Sequence, residues 1–384
     1  MNRTIQFVIF FSIVITLYTF LNFYIFDRGL GIVPEDYKIW YTAAFAFLAY
    51  SYIIGRFLER VTLGWFSTGL VFIGAYWLSA MVYFYLFLLG IDILRLIRHV
   101  APIFPPFLTK DLLLTNRITA LTIIVIVTGV VISGHVNART LRIRTLTLVI
   151  PKNSHRLQSL NIVAASDIHL GTIICKSRLE KIVDKINSLG PDLVLLPGDV
   201  VDEDLGPVIK QNLGETLRKI KAKYGVVACT GNHEYIGGVE EAHQYLTDHG
   251  INVLRDSSVN IADSIYVVGR EDRAIRQFAG KQRKPLEELM SLVDTSYPII
   301  MMDHQPFRLD EAVQHGVDLQ LSGHTHHGQL WPFNFITKKL YELSWGYKKK
   351  KQTHFYVSSG VGTWGPPIRT GNTPEIVNIR LTFS

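Results

Sequence analysis

Five short apolar runs in the second half of the chain are each followed at once by side chains that bind cations or carry protons. The run at 161–165 leads into Asp167 and His169, and the run at 193–196 into Gly198 and Asp199. The run at 225–228 leads into Gly231, Asn232, His233 and Glu234, and that at 298–302 into Asp303 and His304. The run at 317–321 leads into Gly323, His324, Thr325 and His326. Glycines beside several of these residues let the chain turn sharply. Taken alone, a Gly-Asp or an Asp-x-His after a strand is an ordinary turn, and a single histidine such as His304 is ordinarily structural or exposed. Five in succession point elsewhere. In an open α/β sheet the carboxyl ends of buried strands converge on one crevice. So many acceptors in one crevice repel one another or stay unsatisfied unless cations hold them together. Oxygen and nitrogen donors without cysteine suit Mn²⁺, Fe or Zn²⁺ better than calcium or a structural zinc.

Periodicity indicates the elements that must place these residues. Besides the five runs, 265–268 and 355–357 read as strands, and 177–189 and 239–248 as helix-like segments between strands. Helices between buried strands predict a layered α/β domain.

Taken in order, Asp-x-His, Gly-Asp, Gly-Asn-His-Glu, His and Gly-His-x-His resemble the motif series of the calcineurin-like metallophosphoesterases, over about residues 158–384. The tail from Gly360-Val361-Gly362 through Pro366-Pro367-Ile368-Arg369 to Pro374-Glu375-Ile376 is similar to the membrane-associated bacterial branch of that family. The resemblance implies a four-layer αββα sandwich and two divalent metal ions, Mn²⁺ foremost, with Fe or Zn²⁺ as alternatives. It implies that Asp167, His169 and His326 hold one ion, that Asn232, His304 and His324 hold the other, and that Asp199 bridges the two. It further implies His233 as a catalytic acid outside the ligand set, oriented by Asp202. His327 stands where this branch more often has glycine, and a place behind the ligands or at the surface is expected for it.

Two ions about 3.5–4 Å apart share a hydroxide and clamp phosphate oxygens during an in-line displacement. A bridging position needs the two negative oxygens of Asp199. Asn232, by contrast, adds a neutral oxygen that leaves its ion enough charge to attract phosphate. The expected activity is hydrolysis of a phosphodiester or pyrophosphate by a metal-bridging hydroxide. The alternative is a catalytically silent metal-binding scaffold or sensor of the same fold, and the presence of every ligand histidine and of His233 argues against it.

Composition divides the chain in two. Of 384 residues, 48% are hydrophobic and 18% charged, too apolar for an ordinary soluble protein. Residues 1–150 hold 12 Lys and Arg with 6 Asp and Glu, and the remainder holds 27 with 26. Most of the formal charge of +7 therefore lies in the first part, so the second lacks the basic excess of a nucleic-acid binder, and none is expected as a partner. Uncharged stretches at 4–26, 39–55, 61–91 and 118–138 predict membrane helices at about 4–26, 39–58, 64–91 and 118–138. They predict an α-helical four-span transmembrane anchor over residues 1–144, ahead of a metallophosphoesterase domain over 145–384. The stretches contain no Asp, Glu, Lys or Arg, which favours an anchor over an ion or substrate path.

Between the third and fourth stretches, Ile93, Leu94, Leu96, Ile97 and Val100 alternate with Arg95, Arg98 and His99. A short amphipathic helix in the headgroup plane, broken by Pro102, Pro105 and Pro106, and a plain extension of the third span fit equally well. Four spans put the amino terminus and the large domain on one side. Six basic residues flank the spans on each side, so charge does not name that side. With no export signal and only Cys175 and Cys229, the expectation is a multi-pass protein of the inner or cell membrane with its catalytic domain in the cytoplasm.

Behind the last histidine motif, Trp331, Phe333, Phe335, Ile336, Tyr341, Trp345 and Tyr347 interleave with Lys338, Lys339 and Lys348 through Lys351. Rings in the interface with ammoniums toward anionic lipid fit this composition, and a loop packed on the domain is the alternative. The expected substrate is accordingly a lipid-linked or headgroup phosphoester met at the bilayer. The branch that the tail resembles includes UDP-diacylglucosamine pyrophosphohydrolases. The pattern carries no sign of oligomeric state.

Overall fold

Residues 3–100 and 112–384 are described by a computed structural model. The chain divides into two units, Met1–Gly134 and His135–Ser384. The first is built from α1 (Arg3–Leu30), α2 (Lys38–Val61), α3 (Trp65–Val100) and the greater part of α4 (Leu112–Arg139). All four helices are long and apolar enough to cross a membrane. Polar groups inside the bundle satisfy one another, as a low-dielectric surrounding demands. Trp77 Nε1 donates to Asn22 Oδ1 at 2.8 Å, and Asn22 Nδ2 donates to the Tyr18 carbonyl at 2.9 Å.

Of the two readings of residues 93–100, the structure shows the extension. α3 runs without a break to Val100, because nothing between 91 and 100 interrupts the helix. Of the charges that suggested a separate element, Arg95 is held in place: it donates to Asp92 at 3.3 Å and to Asn116 at 2.9 Å, and Asp92 also accepts from Arg28 at 2.6 Å. The breakers Pro102, Pro105 and Pro106 lie outside the described residues.

In the second unit, β1 (Arg142–Ile150), β2 (Ser159–Ala164), β3 (Leu193–Pro197), β4 (Val226–Cys229), β5 (Ile251–Leu254) and β12 (Glu375–Phe383) form one six-stranded sheet, in the order β1-β12-β2-β3-β4-β5. The second sheet contains β6 (Ser257–Ile261), β7 (Ile265–Gly269), β8 (Ile299–Met302), β9 (Leu319–Ser322), β10 (Gly346–Lys350) and β11 (Thr353–Val357), in the order β10-β11-β9-β8-β7-β6. β2 through β5 are mutually parallel, and so are β7, β8, β9 and β11. Labelled helices of this unit are α5 (Lys176–Asn187), α6 (Asn232–Gly237), α7 (Val239–Asp248), α8 (Leu286–Met290), α9 (Leu309–Gln314) and α10 (Asn334–Leu340).

The two-residue period of the strands sorts their side chains into layers. Ile162, Ala164, Leu193 and Leu195 point between the sheets, into a core shared with Ile300, Met302, Leu319 and Leu321. Val163, Val194 and Leu196 point the other way and meet Leu179, Ile182, Val183 and Ile186, which share one face of α5. On the far side, Val268, Ile299 and Met301 pack with Leu286 and Leu289 of α8 and with Leu309 and Ala312 of α9. The result is a four-layer αββα sandwich.

Five strands do not appear among the runs read from sequence. β1 and β12 pair in parallel along their whole length, from Arg142 with Glu375 to Ile150 with Phe383. β10 is the lysine-rich segment itself, and its charges suit an edge strand that must not recruit another chain.

Candidate metal centre

The side chains singled out above sit where parallel strands of both sheets end. Asp167 and His169 follow β2, Asp199 follows β3, and Asn232 and His233 open α6 after β4. From the other sheet, His304 follows β8, and His324 and His326 follow β9. Five of these residues hold a left-handed backbone: Asp167 and His169 at φ 54°, Asp199 at 52°, His324 at 68° and His326 at 43°. Asp and His tolerate that region better than most residues, and such strain collects at functional sites. Close packing of backbone supports it. A Cβ on Gly231 would lie 2.1 Å from Asp199 Oδ1, and one on Gly323 would lie 2.1 Å from Asp167 Oδ2.

Two groups result, joined by Asp199. In the first, His326 Nε2 lies 3.5 Å from Asp167 Oδ1, and His169 Nε2 lies 3.8 Å from Asp199 Oδ2. In the second, His304 Nε2 lies 3.0 Å from Asp199 Oδ2, and His324 Nδ1 lies 2.7 Å from Asn232 Oδ1. Ligand atoms of Asp167, His169 and His326, and of Asp199, His304 and His324, are close enough to share an ion within each trio. His327 is not in either trio. Its Nδ1 lies 3.2 Å from Ser344 Oγ, and its ring packs 5.2 Å from that of Trp345.

Hydrogen bonding shows whether these residues fit a cation. His304 Nδ1 lies 2.8 Å from the Pro197 carbonyl, which only accepts, so this nitrogen carries a proton. In the neutral ring, Nε2 then aims a lone pair at the Asp199 carboxylate, an acceptor facing an acceptor. Asp167 Oδ2 is likewise buried with no donor to it. A histidine that donates one N–H to a backbone carbonyl and presents its other nitrogen is the usual metal-ligand arrangement. The donor set fits a divalent ion at each position.

The electrostatics agree. Burial works against a charged His304, yet Asp199 and Asp167 outweigh it and hold the imidazole well above its ordinary range. A cation in place of that second proton would meet the same demand. Burial and then His304 push His324 down to about 3, so this ring is neutral and available as a ligand. Burial, His169 and Arg369 likewise hold His326 well below its usual value.

His233 differs from its neighbours. Its Nδ1 lies 3.0 Å from Asp202 Oδ1, and its backbone N–H donates to Asp199 Oδ1 at 2.9 Å. Burial disfavours its charge, but Asp199 and the hydrogen bond to Asp202 prevail and push it up to about 9. Asp202, held low by His169 and His233 against the opposing effect of burial, is the matching anion. With Nδ1 engaged by Asp202, Nε2 is the atom left to give a proton away.

Four further residues, to which the sequence assigned no role at this centre, contribute. Glu234 accepts from the backbone of Asp199, Val201 and Gly231 at 3.1, 3.0 and 2.8 Å, tying the turn after β3 to that after β4. Arg369 is fully buried and donates to the carbonyls of Ser359 at 2.7 Å and Gly360 at 3.2 Å, with one nitrogen 3.2 Å from His326 Nδ1. It fixes the segment packed behind Asp167 and His326. Trp364, 53% exposed, places its ring 6.0 Å from that of His233, and Tyr341 lies 6.2 Å from His324. The Glu in Gly-Asn-His-Glu, the Arg in Pro-Pro-Ile-Arg and Tyr341 of the aromatic-basic segment were visible signals, whereas nothing local marked Trp364. The aromatic-basic segment itself is exposed, with Trp331, Phe335 and Ile336 at 51%, 59% and 54%.

A family model described as calcineurin-like phosphoesterase matches residues 160–328. An uncharacterized metallophosphoesterase of Helicobacter pylori is 34% identical over 229 residues, covering 58% of this chain and 60% of the relative. One from Campylobacter jejuni is 32% identical over 272 residues, covering 70% of this chain and 71% of the relative. A Danio rerio protein named transmembrane protein with metallophosphoesterase domain is 32% identical over 270 residues, covering 67% and 61%. The chain thus spans about 60% of the length of the Helicobacter relative.

Proposed function

Because this chain belongs to the calcineurin-like phosphoesterase family, we propose that it is a membrane-anchored two-metal phosphoesterase acting on a lipid-linked phosphodiester or pyrophosphate. The observation that carries this reading is the buried His304 Nε2, 3.0 Å from an Asp199 oxygen, with its other nitrogen already committed to Pro197, so that a proton or a cation must lie between the two groups. Asp167, His169 and His326 would hold one ion, Asn232, His304 and His324 the other, and Asp199 both. Two bound divalent ions, Mn²⁺ foremost, would supply Lewis acidity toward phosphate oxygens and a nucleophilic water at neutral pH.

The chain's own residues do the rest. Asp199 and Asp167 concentrate negative charge where cations must sit, and Asn232 keeps one position less anionic. His233 delivers a proton from Nε2 to the leaving oxygen, while Asp202 fixes the ring through Nδ1. The exposed rings of Trp331 and Phe335, with Lys338 and Lys339 nearby in sequence, suit the boundary of an anionic leaflet. The cytoplasmic leaflet is the anionic one, and the catalytic domain is assigned to that face.

Purified full-length protein loaded with Mn²⁺ is incubated with a membrane-lipid extract, and mass spectrometry identifies the species that loses a phosphate linkage. Cleavage of a lipid phosphodiester or pyrophosphate supports the proposal. Cleavage of soluble phosphodiesters alone removes the lipid part, and no cleavage of either removes the enzymatic reading.

A further inference from the structure

A cavity of about 630 Å³ lies inside the membrane unit, walled by residues of α1, α2, α3 and α4. That volume falls within the roughly 300–1,000 Å³ of ligand sites. Its body is apolar, with walls that include Phe45, Leu48, Trp77, Phe84, Ile123 and Ile124. The Trp77 N–H is already taken by Asn22, and the Phe45 ring meets Trp77 edge-on at 5.2 Å, so the indole serves as a fixed apolar wall. The lining turns polar at Asp27, Arg28, Arg95 and Asn116.

We infer that this cavity binds one bilayer phospholipid, its phosphate at Arg28 and Arg95 and one hydrocarbon chain along the apolar walls. Two guanidiniums offer ten N–H donors. Among the described residues, Asp92 and Asn116 take up three of them. Asp92 is shared between two cations, 2.6 Å from Arg28 and 3.3 Å from Arg95, and with Asp27 also on the lining the two forks still keep donors for an anion with several oxygens. A hydrocarbon chain is the complement of walls that offer mainly dispersion contacts. Head and tail together call for an amphiphile with a phosphate. The occupant is proposed as a retained lipid, distinct from the molecule hydrolysed.

Full-length protein, delipidated in detergent, is titrated with phosphatidic acid or with diacylglycerol carrying the same chains and followed by native mass spectrometry. Phosphatidic acid is expected to saturate at one per chain and to bind at least about 10-fold more tightly than diacylglycerol, with Arg28→Gln plus Arg95→Gln removing the difference. Ala120→Phe, which fills the cavity from α4, is expected to lose both lipids, and Thr119→Phe repeats the test if circular dichroism shows the first variant unfolded. All variants are expected to keep their turnover of soluble bis(p-nitrophenyl) phosphate. Equal binding of the two lipids, or unchanged binding in a folded filled variant, overturns the inference. So does loss of a phosphate linkage from the retained lipid when Mn²⁺ is added, because the occupant would then be a substrate.

Discussion

The Nε2 atoms of His169 and His326 face each other at 3.0 Å although 157 residues separate them in sequence. Two imidazoles meet this way when one donates to the other or when both turn lone pairs toward a cation. Asp167 lies 3.5 Å from one of these nitrogens and Asp199 3.8 Å from the other, so a shared cation satisfies all four groups together. A single donated proton satisfies only the imidazole pair.

Asp199→Asn preserves the size of the side chain and removes the charge that both halves of the site share. Hydrolysis of a chromogenic phosphodiester is expected to fall to background, with at least one ion per chain lost on elemental analysis. A variant with unchanged turnover contradicts the bridging assignment.

His233→Asn is expected to keep its metal content and to slow turnover by about 10²-fold or more. The deficit should shrink for a p-nitrophenyl ester, whose leaving oxygen needs little protonation, and grow for an alkyl ester. Equal deficits for both leaving groups argue against proton donation by His233.

Gly231 and Gly323 contribute no side chain, yet an added methyl would press on Asp199 Oδ1 or Asp167 Oδ2. Either change to alanine is expected to weaken Mn²⁺ binding by about 10–100-fold, the scale on which supports of ligand side chains act. Isothermal titration measures this directly, and wild-type affinity in both variants would show that backbone crowding does not set the site.

Much of this candidate centre was legible in the chain because each proposed ligand follows an apolar strand, and strands of a layered domain end on common edges. His304 illustrates the point: a solitary histidine gained meaning from the run at 298–302 before it. What escaped depends on contacts between distant segments. Trp364 gains its place from a loop that Gln329 holds through its backbone, accepting from Trp364 N–H at 3.0 Å and donating to the Trp364 carbonyl at 3.0 Å. β1 carries apolar Ile143, Leu146, Leu148 and Ile150, but its pairing with β12 spans most of the domain, which no local pattern reveals. The residues at 93–100 were ambiguous because an interfacial helix and a prolonged span share one periodicity.

Burial raises the Asp272 carboxyl to about 6, against the opposing effects of His304 and the Ala274 N–H. A carboxyl raised on folding contributes stability that is fully present below about pH 4 and lost as the pH rises through 6. Asp272→Asn retains Oδ1, the acceptor for Ala274 N–H at 2.8 Å and Gln305 Nε2 at 2.9 Å. In metal-free protein this variant is expected to be more stable than wild type at pH 7.5, by roughly 3 kcal/mol at most, with little difference near pH 4. Thermal denaturation at the two pH values decides it, and a gap that does not change with pH would contradict the assignment.

Trp331→Ala combined with Phe335→Ala is expected to lower turnover of a bilayer-embedded substrate several-fold and to leave that of a soluble ester unchanged. Trp345 is unsuitable for this test, because its Nε1 donates to buried Glu375 at 3.0 Å and its ring packs on His327. Equal turnover on both substrates in wild type and variant alike would remove the interfacial role.

The central claim is a pair of ions in one cluster of side chains. Elemental analysis of full-length protein saturated with Mn²⁺ and then desalted tests it most directly. The account predicts about two ions per chain, falling to about one in His326→Ala and to about one in His324→Ala. One ion or none in the unaltered protein would contradict it.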